Sequence, residues 1–308
     1  MTPDNGPEIV IIGSVNLDLV VTVPALPLPG ETVLATSYDE FAGGKGSNQA
    51  IAAARLGRRV AFVGRTGGDA AGAVVRKALA AEGVDVSQLA SIPSEKTGRA
   101  FVQVDERAEN SIIVAAGANA RLNADDVAGA AECVGGAAVV VAQLEVPLDA
   151  VRAAARLARG TFVFNPAPAR PLDRELLGLV DVLVVNQGEF EVVTGEPAAD
   201  DPSSMASAVA RAGLPGSIVV TLGARGALVW HEGGLQSVPA PAVQAVDTTG
   251  AGDTFVGALA DALARSEGLL DAARWAVCAA SLSTLSLGAT TAMPRPAQVA
   301  ELRALSAH

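Results

Sequence analysis

Cysteine, histidine, lysine and the aromatics are all scarce in this 308-residue chain, and each scarcity narrows what it can be. Two cysteines, Cys133 and Cys278, and two histidines, His231 and His308, cannot assemble a structural zinc site at any usual ligand spacing. Cys278 lies in the apolar stretch Trp275–Ala280, where a thiol serves as a small buried hydrophobe, so neither cysteine is assigned a role. No apolar run approaches the ~18–20 residues of a spanning helix, and Met1–Glu8 carries neither a basic nor an apolar leader segment. A cytoplasmic protein with no membrane contact is expected. Lys and Arg number 22 against 33 Asp and Glu, a net charge of −11, and such a field repels polyanions, which argues against nucleic acid as a partner. The only lysines are Lys45, Lys77 and Lys96. Any bound phosphate must therefore be held by backbone N–H groups, a metal or a few placed cations, which singles out Lys45.

What is present is a packed-core composition, 50% hydrophobic and 18% charged. Short β-branched runs alternate with Ala-rich stretches. Strands are expected at Ile9–Ile12, Val60–Val63, Ala138–Val141, Thr161–Phe164, Val182–Val185 and Ile218–Thr221. Helices are expected at Asn48–Leu56, Ala70–Ala81, Leu148–Ala158, Met205–Ala212, Asp253–Arg265, Leu270–Ser286 and Pro296–Leu305, with Gly57 and Gly83 as helix stops. This rhythm predicts an α/β fold, a central mostly parallel sheet with helices on both faces. Two β-rich segments without helices, 19–38 and 97–116, interrupt it. They predict a small antiparallel β lid, discontinuous in sequence, with strands at Val20–Val23 and Thr32–Ala35 around Pro24–Gly30, and at Ala100–Val104 and Ser111–Val114 around Asp105–Asn110. The remainder, 1–18, 39–96 and 117–308, forms the α/β domain, and the Gly-rich junctions suit a hinge.

The strongest local signal is Asp247-Thr248-Thr249-Gly250-Ala251-Gly252-Asp253-Thr254-Phe255. Small residues at Gly250, Ala251 and Gly252 let N–H groups approach an anion, and the dipole of the following helix favours negative charge there. Asp253 can be an N-cap or a base for an attacking hydroxyl. Capping leaves the three small residues before it unexplained, and a phosphoryl-transfer site accounts for both. The second signal, Gly43-Gly44-Lys45-Gly46-Ser47-Asn48-Gln49, precedes an Ala-rich helix but lacks P-loop spacing. The third, Gly13-Ser14-Val15-Asn16-Leu17-Asp18, follows the first strand where a dinucleotide-binding protein would carry Gly-x-Gly-x-x-Gly, and does not match it. Asn16 and Asp18 suit sugar hydroxyls or turn chemistry equally. Further clusters sit at strand ends: Gln143-Leu144-Glu145, Asn186-Gln187-Gly188-Glu189 and Thr221-Leu222-Gly223-Ala224-Arg225-Gly226. They offer open backbone to a nucleotide and oxygen ligands to Mg²⁺ and its waters.

Together, the Gly43–Ala50 and Asp247–Phe255 segments resemble the two signatures of the ribokinase-like, phosphofructokinase-B-type family of sugar and nucleoside kinases, over nearly the whole chain. Gly13–Asp18, Pro29–Thr32, Asn165–Ala169 and Ala245–Thr248 are similar to its ribose-phosphorylating branch. The resemblance implies ATP-dependent transfer to the 5-hydroxyl of D-ribose, with Asp253 as base and Gly250, Ala251 and Gly252 as anion hole. It implies Asn16, Asp18, Gly44, Lys45, Gly46, Ser47, Asn48 and Glu145 around the sugar. Asn186, Thr221, Leu222, Gly223, Ala224, Arg225, Gly226, Gly252 and Val277 would line the nucleotide site, and Glu189 would act on Mg²⁺ through water. A K⁺ site is implied at Asp247, Thr249, Ser283, Ser286, Gly288 and Ala292, largely through backbone oxygens, and a homodimer through the lid. Two positions depart from the family pattern: Val277, where relatives often carry a polar residue near adenine, and Ala292, where Ser is common. A nucleoside or another sugar is the alternative substrate, with Phe41 and Phe101 as stacking candidates. A non-catalytic sugar-binding regulator would have lost Asp253 or the glycine turn, and both are present.

Overall fold

Four consecutive apolar residues, Ile9-Val10-Ile11-Ile12, form the first strand, β1 (Ile9–Ile12), and each is fully buried. A strand apolar on both faces has to be covered on both, the condition met by a parallel sheet between two helix layers. The computed structural model describes residues 6–107, 109–199, 201–214 and 216–306. Its other strands are β2 (Asn16–Thr22), β3 (Ser37–Gly43), β4 (Val60–Gly67), β5 (Leu89–Ile92), β6 (Gly98–Val104), β7 (Asn110–Ala115), β8 (Val139–Gln143), β9 (Thr161–Asn165), β10 (Val182–Asn186), β11 (Ser217–Thr221), β12 (Ala227–His231) and β13 (Gly234–Val238). A nine-stranded sheet runs in the order β13-β12-β11-β10-β9-β8-β1-β4-β5, and a four-stranded sheet in the order β3-β2-β6-β7. The large sheet is parallel from β5 to β11, and only β12 and β13 pair antiparallel, as a hairpin at one edge.

The helices are α1 (Lys45–Arg55), α2 (Ala70–Ala81), α3 (Ala124–Gly129), α4 (Ala131–Gly136), α5 (Leu148–Leu157), α6 (Arg174–Leu177), α7 (Gln187–Thr194), α8 (Pro202–Ala212), α9 (Ala251–Ala264), α10 (Leu269–Ser283) and α11 (Pro296–Leu305). Alternate strand residues feed two cores. Ile9 and Ile11 pack with α1, α2, α9, α10 and α11, while Val10 and Ile12 pack with α3 to α8. This arrangement confirms the expected α/β class and places the carboxyl ends of β1, β8, β9, β10 and β11 along one rim. No helix among the described residues is long and apolar enough to cross a membrane.

Several boundaries differ from expectation for tertiary reasons. Helix α1 begins at Lys45 instead of Asn48, because the Lys45 N–H is capped from afar by Glu145 Oε2 at 3.1 Å. Helix α10 ends at Ser283 instead of Ser286, where Thr284 turns its hydroxyl back onto the Ser281 carbonyl. Thr32–Ala35 forms no strand. The partner of β2 is Ser37–Gly43, whose register sets Asn16 opposite Gly43 and Asp18 opposite Phe41. The small sheet thus includes Asn16–Asp18 and Asp39–Gly43, which the sequence pattern assigned to the large domain, and its central pair, β2 with β6, is parallel. The short strand β5, the edge hairpin β12–β13 and helices α3, α4, α6 and α7 carried no expectation, being short and weakly periodic.

Candidate active site

Two loop-to-helix junctions meet at the rim. Gly250, in left-handed conformation at φ 74°, precedes α9, and a Cβ there would stand 2.9 Å from Ala289, so the turn is open only to glycine. The Ala251 N–H closes this turn on the Thr248 carbonyl at 3.2 Å. The N–H groups of Gly252 and Asp253 follow in the first helical turn, where the helix supplies no carbonyl for them, the arrangement that suits an anion.

Asp253 does not cap its helix. Its Oδ2 accepts from Asn48 Nδ2 at 2.9 Å and its Oδ1 from Gln49 Nε2 at 3.2 Å, both on α1. Burial pushes its carboxyl up from the usual range, opposed by the Lys45 charge and by the Asn48 and Gln49 bonds. Lys45 is itself held above its ordinary value, because the negative charges of Asp253, Glu145 and Glu189 outweigh the burial that opposes its charge. Burial likewise raises Glu189, against the Asn186 N–H bond and Lys45. One cation therefore faces several carboxylates across a single cleft.

On one side of Asp253, the structure brings Asn16, Asp18, Lys45 and Asn48 together. The Asn16 Oδ1 accepts from Asn119 Nδ2 at 2.8 Å, which commits the oxygen and leaves the Asn16 amide nitrogen as a donor. Burial lifts the Asp18 carboxyl to about 7, reinforced by Glu145, and its Oδ1 has no hydrogen-bond partner, as does Asn48 Oδ1. Unpartnered buried acceptors are costly, and ligand hydroxyls are the groups that satisfy them. Glu145, expected near the sugar, also anchors the start of α1: its Oε2 accepts from the Ser14 hydroxyl at 2.5 Å and from the Lys45 N–H. Gly46 and Ser47 pack under the site. A Cβ on Gly46 would lie 2.8 Å from the Gly13 Cα, and the Ser47 N–H binds the Ser14 carbonyl at 3.0 Å.

On the other side a cavity of about 490 Å³ is lined by Thr221, Gly223, Ala224, Gly226, Gly252 and Val277 from the expected set. Asn186 caps α7, and its backbone pairs with Thr221. Leu222, half-buried, packs against the core and Arg225 bonds Gln187 Oε1 at 2.9 Å, and neither lines the cavity. The cavity wall also includes Ala240–Val243, Phe255, Ala280, Ser281 and Thr284, which sequence reasoning missed. Val277, Ala280, Ser281 and Thr284 follow helical one-face spacing, a signal present in the sequence but indistinguishable there from core packing.

Around the expected cation position, Asp247 Oδ1 accepts from the Thr249 N–H and Oδ2 from the Gly288 N–H, both at 2.9 Å. These bonds lower its pKa against the effect of burial and tie the α9 loop to the segment after α10. The Ser283 hydroxyl donates to the Ala280 carbonyl at 2.8 Å, and Ala292 supplies no side-chain oxygen. Among the described residues no group of three or more His, Cys, Asp or Glu could hold a metal ion, so a cation here would rest on backbone and hydroxyl oxygens.

Residues 7–296 match the model of the pfkB family carbohydrate kinases. The chain belongs to that family. Among pfkB relatives, the ribokinase of Haemophilus influenzae is 39% identical over 289 residues, covering 92% of this chain and 94% of the relative. The Bacillus subtilis ribokinase is 38% identical, covering 96% of this chain and 99% of the relative. A solved structure of Arabidopsis thaliana ribokinase complexed with ribose and ATP superposes with a TM-score of 0.89 at 34% identity, covering 97% of this chain and 99% of that one.

Proposed function

We propose that this chain catalyses ATP-dependent phosphorylation of D-ribose at its 5-hydroxyl. The observation that carries the reading is the placement of Asp253, buried between a cleft of unpartnered acceptors and a cavity of nucleotide size, beside the N–H groups of the α9 turn. The similarity to ribokinases, including one complexed with ribose and ATP, supports the same substrates here.

In this reading Asn16, Asp18 and Asn48 bind the sugar hydroxyls, Asp253 accepts the proton of the attacking 5-hydroxyl, and the Gly250–Gly252 turn faces the negative charge developing on the transferred phosphoryl group. Lys45 offsets charge on the phosphates across the same cleft. Glu145 supports Lys45 by capping α1. Glu189, its Oε2 committed to the Asn186 N–H at 2.9 Å, would hold Mg²⁺ through water. Bound there, that ion would supply positive charge against the phosphates. The oxygen-only donors at Asp247, Thr249, Ser283, Ser286 and Gly288 fit a large monovalent cation such as K⁺, with Ala292 contributing backbone alone. The small sheet acts as a lid, its apolar edge pairing with a second copy in a cytoplasmic homodimer.

A coupled ADP-release assay with MgATP tests this across ribose, deoxyribose, fructose and adenosine, each with K⁺ or Na⁺ as the monovalent cation. Ribose should give the highest kcat/KM, and K⁺ should raise it. A higher value for adenosine would retain the kinase chemistry and overturn the sugar assignment.

A further inference from the structure

Beneath Asp253, three buried primary amides are linked in one chain. Gln49 Nε2 donates to Asp253 Oδ1 and to Asn165 Oδ1, each at 3.2 Å. Gln143 Nε2 donates to Gln49 Oε1 at 2.5 Å, and Asn165 Nδ2 donates to the Val184 carbonyl at 2.9 Å. Gln49 and Gln143 are 0% exposed and Asn165 8%. They come from α1, β8 and β9, and the chain ends on the backbone of β10.

The direction of this chain is determined by its end. A main-chain carbonyl only accepts, so Asn165 must turn its nitrogen to Val184 and its oxygen to Gln49. Gln49 must then turn its nitrogen toward Asn165, and the second hydrogen of that nitrogen falls on Asp253. Its oxygen in turn needs a donor, and Gln143 supplies one. Reversing any member would set oxygen against oxygen in the interior, at the cost of a buried unpaired group. The far end, Gln143 Oε1, has no partner and occupies room that glycine leaves: a Cβ on Gly13 would stand 2.1 Å from it.

We infer that Gln49, Gln143 and Asn165 are positioning residues, a directional amide relay that presents a hydrogen-bond donor to Asp253 and holds its carboxylate ionised and aimed for proton transfer. The inference rests on Asp253 acting as the general base. The other groups facing Asp253 are Lys45 and Asn48 on α1, Glu145 after β8, Glu189 on α7 and Asp18 on β2. The donor from Gln49 acts with Lys45 and Asn48 against the burial and the carboxylates that favour the protonated acid.

The test compares wild type with Asp253→Asn, Gln49→Met, Gln143→Met and the double Gln49→Met/Gln143→Met variant, by pH profiles of kcat/KM for ribose and by calorimetry of ribose binding. Loss of one donor to the carboxylate should move the acid limb of the Gln49→Met profile to higher pH by about one unit, a roughly 10-fold loss on that limb that is recovered at alkaline pH. Ribose Kd should stay within about 2-fold. Gln143→Met, one residue further out, should shift the limb in the same direction by less, so it carries the test if Gln49→Met does not fold. The double variant should match Gln49→Met, because Gln143 acts through Gln49. Unshifted limbs, or additive losses in the double variant, would overturn the relay while Asp253→Asn still abolishes turnover. Near-normal turnover of Asp253→Asn would instead remove Asp253 as base and the relay with it.

Discussion

A Cβ placed on Gly43 would stand 2.0 Å from Asp18 Oδ2, so the Asp18 carboxylate fills a space that only glycine leaves empty. Gly43 ends β3 beside the helix that carries Lys45 and Asn48, and β2 presents Asp18 across the strand pair. Gly43→Ala should therefore displace Asp18 while leaving Asp253 in place. Steady-state kinetics should show KM for ribose raised about 10-fold or more with kcat within about 3-fold of wild type. An unchanged KM would show that Asp18 takes no part in sugar binding.

Asp18 also ties stability to pH. Its carboxyl releases a proton near 3.8 when unfolded and at about 7 when folded, chiefly through burial. Between those values the folded chain holds the extra proton, so this group's contribution to stability falls as pH rises through the window and levels off above about 7. Asp18→Asn stays neutral throughout. Its melting temperature without ligand should gain on wild type between pH 5 and pH 8, while ribose binding is lost. An equal gap at both pH values would place the Asp18 pKa near its ordinary value.

The cavity proposed for the nucleotide would meet a base mainly with small and apolar residues such as Ala240, Val243, Phe255 and Val277. Ser281 donates its hydroxyl to the Val277 carbonyl at 2.9 Å and Thr284 donates to the Ser281 carbonyl at 2.7 Å, so both hydroxyl hydrogens are committed within α10 and its C-terminus. Apolar packing separates similar rings weakly, whereas specific hydrogen bonds separate them strongly. GTP should support ribose phosphorylation with kcat/KM within about 10-fold of ATP, measured with each nucleotide varied at saturating ribose. A preference for ATP above about 10³-fold would require base-reading groups on the backbone of the Ala240–Val243 wall.

The outer strand of the small sheet, β7, carries Ile112, Ile113 and Val114 at 55%, 62% and 50% exposure. An apolar strand at a sheet edge is a template for pairing with another chain. Ile113→Lys should convert the proposed dimer to a monomer in sedimentation velocity and raise KM for ribose. A wild-type sedimentation coefficient would place any dimer contact elsewhere.

Much of this molecule was legible in the chain itself. Helix α2 begins and ends where its Ala-rich run does, at Ala70 and Ala81, capped by Asp69, whose side chain accepts from the Gly72 N–H. Strand β1 follows from four branched apolar residues, and the Gly250 turn from small residues that only a close backbone approach requires. These are local facts, settled by rotamers, propensities and bonds within a turn or two. The active site is a different matter. Glu145 reaches 100 residues back to cap Lys45, Asn119 fixes Asn16 from 103 residues away, and Gln49 meets Asp253 across 204. No periodicity encodes such pairs, since they exist only once the sheet has set the carboxyl ends of its strands side by side. For the same reason β3 lies at Ser37–Gly43 and not at Thr32–Ala35: both runs can extend, and the register with β2 chooses between them. The sequence alone determined the long, strongly patterned elements and the chemical groups they carry. Only the tertiary structure decided which of those groups face one another, because that depends on long-range burial and hydrogen bonding that no local segment contains.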